Sequence, residues 1–91
     1  MAEAKSVTIT FVDEGPKDFS YSVDRAEDAR LDASESHGEL ALFLNAAGCS
    51  KLAEMLVKLA CSSYHPGYHI HIGKNFDPDQ DDVLCLTLTE K

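Results

Sequence analysis

Along most of this chain apolar and polar residues alternate one for one, and in a single stretch the period lengthens to that of a helix. In "VTITFVD", Val7 to Asp13, Val7, Ile9 and Phe11 alternate with Thr8 and Thr10, the period of two that marks a strand with one buried face. Gly15 and Pro16 break the run. "FSYSV" alternates again, with Phe19, Tyr21 and Val23 on one face and Ser20 and Ser22 on the other, so the two segments predict a hairpin. "ARLDAS" repeats the pattern weakly through Ala29, Leu31 and Ala33, and "ESHG", with His37 beside Gly38, reads as a turn. "ELALFLN" then places Leu40, Leu42 and Leu44 on one side and Ala41 and Phe43 on the other.

From Asn45 the period changes. Cys49, Leu52, Ala53, Leu56, Leu59 and Ala60 recur at helical spacing as one apolar stripe flanked by Met55, with Lys51, Glu54 and Lys58 opposite. The Asn45 side chain is suited to cap the helix start. Gly48 is costly in a first turn, by up to ~1 kcal/mol against alanine, which points to a neighbouring strand packing close there. Pro66 ends the helix. "YHIHI" sets Tyr68, Ile70 and Ile72 against His69 and His71, "KNFDPDQDD" is an acidic loop, and "VLCLTLT" sets Leu84, Leu86 and Leu88 against Val83, Cys85 and Thr87.

The predicted order is strand, strand, a weak third strand, strand, helix, strand, strand. That is an α+β domain, a mostly antiparallel sheet of five to six strands with one amphipathic helix on one face. Ninety-one residues make one domain, residues 1–91. A lone helix covers one side of the sheet. The other side must carry the alternate positions: Thr8, Thr10, Ser20, Ser22, Ala41, Phe43, His69, His71, Cys85 and Thr87. His69 and His71 are therefore expected to project from the uncovered face, roughly 6–7 Å apart.

Composition narrows the function classes. The net charge of −8 opposes phosphate backbones, so nucleic acid is not the expected partner; a basic protein surface is. No apolar run approaches the ~20 residues of a membrane span, and "MAEAKSVTIT" lacks the basic-then-apolar pattern of a secretory signal. A cytoplasmic protein is expected. Three cysteines make a poor disulfide framework, and Cys49 and Cys61 on one helix would stand ~18 Å apart.

The histidine pair admits several chemistries. Two imidazoles on one strand form adjacent metal ligands, but zinc takes three or four protein ligands, and Cys85, Cys61, His65 and the aspartates near 77–82 show no supporting spacing. Asp77, Asp79 and Asp81 resemble the opening of a calcium loop, yet Asp82 and Leu88 stand where that loop needs Gly and Glu; a solvated hairpin tip is the reading preferred. Cys85 facing His69 or His71 across strands would pair a nucleophile with a base, but an open sheet face does little to exclude water or stabilise an oxyanion. No catalytic residue and no cofactor are assigned, and a non-enzymatic protein is expected. Phe43, apolar among Thr, Ser and His, marks a contact surface. That contact is either a protein partner or a second copy in a homodimer.

From "ELALFLN" onward the chain resembles a group of small bacterial immunity proteins of polymorphic toxin systems, such as immunity protein thirty-two. The resemblance is carried by "LNAAGCSKLAEMLVKLA", "GYHIHI" and "DDVLCLTL", about half the chain, with "GYHIHI" the most specific part. Gly73 and Lys74 stand where the pattern carries an acidic residue after the His-x-His strand, and Ala47 and Cys49 flank Gly48 in place of an acid and a leucine. The resemblance implies a non-enzymatic inhibitor of a cognate toxin, with Tyr68, His69 and His71 at matching positions. The residues expected to meet the partner are Phe43, Tyr68, His69, His71, Asp79, Asp81 and Asp82. The alternative is a metal-binding or small enzymatic domain centred on His69 and His71, or a dimeric structural protein.

Overall fold

The computed structural model describes residues 2–16, 18–19 and 28–90. Within them the chain forms β1 (Leu31–Ser36), β2 (Glu39–Leu44), α1 (Ala46–Cys61), β3 (His69–Gly73), a single 3₁₀ turn (Lys74–Phe76) and β4 (Asp82–Thr87). This is an α+β fold of four strands in two antiparallel hairpins, β1–β2 and β3–β4, plus one helix. It is not the single five-to-six-stranded sheet that alternation predicts.

The difference begins at the N-terminus. Val7–Asp13 takes no strand structure, and the expected partner "FSYSV" lies, from Ser20 on, outside the described residues. Alternation survives as facing only in part: Ile9 and Phe11 are half-buried while Thr8 and Thr10 are exposed, but Val7, in the same register, is exposed. The end of this segment is docked by side chains rather than by a ladder. Asp13 accepts a hydrogen bond from Ser63 Oγ at 2.7 Å, and Glu14 pairs with Lys58 of α1.

The first hairpin closes through His37 and Gly38, both at positive φ (54° and 75°), the geometry of a two-residue type I′ turn whose twist suits antiparallel strands. Its register sets Leu31 against Leu44 and Ala33 against Leu42 on one face, and Asp32 against Phe43 on the other. The second hairpin pairs Ile70 with Leu86 and Ile72 with Leu84 on its inner side. A bulge between Ile72 and Gly73 sets Gly73 opposite Asp82 and leaves Val83 as the extra residue. Val83 therefore packs against the core instead of joining Cys85 and Thr87 outside.

The core lies between the two hairpins and the helix. Ala29, Leu31, Met55, Ile70, Ile72 and Phe76 form its buried centre, with Leu44, Leu52, Leu84 and Leu86 packed around it. Phe76 is fully buried at a φ of 60°, a strained conformation for a bulky residue that the surrounding core must hold in place.

The helix is seated on a different face from the one its stripe predicts. Gly48, Met55, Lys58 and Leu59 are its buried residues, whereas Cys49, Ala53, Leu56 and Ala60 are exposed. The cause is the partner supplied by the N-terminal segment. Lys58 pairs with Glu14 and places its ammonium 4.9 Å from the centre of the Phe19 ring, which satisfies a charge on the inner side. Asn45 caps α1 by accepting from Gly48 N at 2.8 Å. The same side-chain oxygen accepts from Arg30 N at 2.8 Å, so one amide ties the helix start to the residue before β1. A Cβ at Gly48 would stand 2.2 Å from the Arg30 carbonyl oxygen, which explains the glycine; the close neighbour is the lead-in to β1 rather than a strand.

Candidate functional site

β3 and β4 place four side chains on one outer face. His69 is paired with Thr87, and His71 with Cys85, and all four are exposed. Their strand neighbours Ile70 and Ile72 are buried, so burial of the isoleucines fixes the outward direction of the imidazoles. The two rings stand 5.3 Å apart, centroid to centroid, and nearly perpendicular at 86°.

Each ring turns one nitrogen back to the protein. His69 Nδ1 is 3.4 Å from the Gly67 carbonyl oxygen. His71 Nδ1 is 3.7 Å from Asp82 Oδ2, both side chains being more than half exposed. The bulge that tucks Val83 inward is what brings Asp82 beside His71 on the outer side. Alternation alone cannot supply this contact, because the extra residue that makes it leaves no signature in the apolar pattern.

Beyond the strands the acidic loop forms the tip. Its backbone is closed by hydrogen bonds from Lys74 N to Asp81 O at 3.0 Å and from Gln80 N to Asp77 O at 3.1 Å, and Asp77 Oδ1 accepts from Asp79 N at 2.9 Å. These turns leave the Asp79, Asp81 and Asp82 side chains in solvent. Gly73, at the base, must lack a side chain because a Cβ there would stand 2.1 Å from the Asp77 carbonyl oxygen.

Tyr68 borders the face from the inner side. It stacks on Tyr64 at 4.3 Å, and burial first, then Asp18 and Glu14, push its phenol above the ordinary tyrosine value. Tyr64 is fully covered, donates to the Asp18 carbonyl oxygen and packs 5.7 Å from Phe19. Burial, joined by the charges of Tyr68, Glu14, Asp13 and Asp18, pushes its phenol up to about 12.

Phe43 is exposed, at 57%, but it lies on β2. The single uncovered face that would join it to His69 and His71 is divided between two hairpins. Phe43 lines a shallow depression with Arg30, Asp32, Lys74 and Asn75, and Leu40 and Leu42 are exposed on the opposite side of the same strand. Cys85 Sγ contacts Thr87 Oγ1 at 3.8 Å rather than an imidazole. The three cysteines are free and exposed; Cys49 and Cys61 are surface residues of α1, so Cys49 does not fill the core as its place in the apolar stripe predicts. Among the described residues no three histidine, cysteine or acidic side chains converge on a point suited to a metal ion, and no helix is long and apolar enough to cross a membrane.

Comparisons of the chain with protein-family models, with curated proteins and with solved structures returned no match.

Proposed function

We propose that this chain is a non-enzymatic binding protein, an immunity-type inhibitor that neutralises a cognate protein toxin by covering it with the outer face of the β3–β4 hairpin and the acidic tip beyond. The observation that carries the reading is the grouping on one hairpin of two outward imidazoles, His69 and His71, with the exposed carboxylates of Asp79, Asp81 and Asp82. A net charge of −8 speeds encounter with a basic surface, and desolvated aromatic contacts then hold the complex. Tyr68 at the border and Phe43 on the neighbouring hairpin are the aromatic residues available for that. A nuclease groove is the kind of basic surface this chemistry fits. The toxin class rests on the likeness of "GYHIHI" and its flanking segments to the immunity proteins named above.

Co-expression with the toxin-like product of an adjacent reading frame tests the proposal. A stable complex is expected. Reversal of charge at Asp79, Asp81 and Asp82 together should slow association about tenfold or more at low ionic strength, with the difference shrinking as salt is added. Association indifferent both to salt and to the three reversals would remove the electrostatic part of the proposal, and absence of a complex would remove the whole.

A second reading is favoured by one observation, the exposed apolar side chains Leu40, Leu42 and Phe43 on β2. A strand apolar on both faces suits self-association. Light scattering over a range of concentrations separates a dimer from a monomer that waits for its partner.

A further inference from the structure

We propose that His69 and His71 chelate one divalent transition ion of the nickel and zinc class through their two Nε2 atoms. The proposal concerns the isolated chain and does not depend on the inhibitor reading. Three observations carry it. First, both side chains project from one face of a strand whose alternate residues are locked in the core, so the pair is held at fixed spacing. Second, the ring centroids are 5.3 Å apart, and two imidazoles bound to one tetrahedral ion at ~2.0–2.1 Å would have centroids about 5 Å apart. The observed centroid spacing matches the spacing a shared ion requires.

Third, the protein contacts of both rings are made at Nδ1. Gly67 O lies 3.4 Å from His69 Nδ1 and Asp82 Oδ2 lies 3.7 Å from His71 Nδ1, so on each ring the nitrogen nearest the protein is Nδ1 and Nε2 is the one left for a ligand. Ligating histidines commonly have this arrangement, with a carbonyl or carboxylate behind the ring. Among the described residues no third histidine, cysteine or acidic side chain joins the pair in a metal-suited group, so water or a donor from a bound partner would complete the coordination. Imidazole donors suit nickel and zinc rather than magnesium or calcium.

The test is calorimetric titration of the untagged, purified chain with nickel chloride. One ion per chain is expected, with binding weakened about tenfold or more by His69→Ala and by His71→Ala alone, and unchanged by His37→Ala and His65→Ala. Binding retained in the His69→Ala/His71→Ala double variant, or absent from the wild type at millimolar nickel, overturns the proposal. A second readout needs no variant: paramagnetic nickel should broaden the amide resonances of residues 68–72 and 85–87 first. Broadening centred on residues 77–81 would assign the ion to the acidic tip and overturn the chelate.

Discussion

Lys58 and Tyr64 show how single side chains hold the N-terminal segment against the body of the molecule. Lys58 is only 8% exposed, and its charge is tolerable there because Glu14 answers it. A buried charge stripped of its partner costs more than a pair replaced by an apolar residue. Glu14→Gln is therefore expected to destabilise the fold by about 1–3 kcal/mol, and Lys58→Met by less, in urea unfolding; the reverse order would show that Lys58 does not need Glu14. For Tyr64 the sign follows from its phenol, raised from 10 to about 12 by burial. Between those values an unfolded chain ionises this group and a folded one does not. The contribution is present below pH 10 and lost as pH climbs towards 12. The urea midpoint should fall over that window, less steeply in Tyr64→Phe; equal slopes in the two proteins would count against a protected phenol.

At the scale of elements, Gly48 tests the joint between α1 and the lead-in to β1. Alanine is favoured over glycine in a helix by up to ~1 kcal/mol, but the added Cβ would collide with the Arg30 carbonyl at 2.2 Å. Overpacking costs about 1–3 kcal/mol, so Gly48→Ala should lower the unfolding midpoint, and a raised midpoint would mean that the Arg30 segment is not packed there. Such joints set the limit of what the sequence makes legible. The helix, its Asn45 cap, the His37–Gly38 turn and the last three strands are legible, because period, cap and turn residues are local. So is the outward direction of His69 and His71, since the isoleucines between them need a core. Val7–Asp13 was misleading because alternation reports which way side chains face and says nothing about a ladder partner. The seating of α1 was hidden for a related reason: the partner that makes Lys58 an inward residue lies 44 positions earlier, at Glu14. The Asp82–His71 approach depends on a bulge, and one unpaired residue leaves the apolar pattern unchanged.

Over the whole molecule, one core serves two small hairpins and a helix, and each hairpin keeps an outer face in solvent. Two-stranded sheets are marginal alone, so Leu31, Ile72, Met55 and Phe76, which meet in that core, hold both hairpins at once. What is left outside is acidic overall and carries the imidazole pair at one place, an arrangement suited to meeting a basic partner. The most direct test is chemical footprinting of the histidines with diethylpyrocarbonate, read by mass spectrometry, on the free chain and on its complex with the co-expressed toxin-like partner. Expected is ready modification of His69 and His71 in the free chain and loss of that reactivity in the complex, with His37 unchanged. Both rings unreactive in the free chain, or equally reactive in the complex, would contradict an interaction surface on the outer face of β3 and β4.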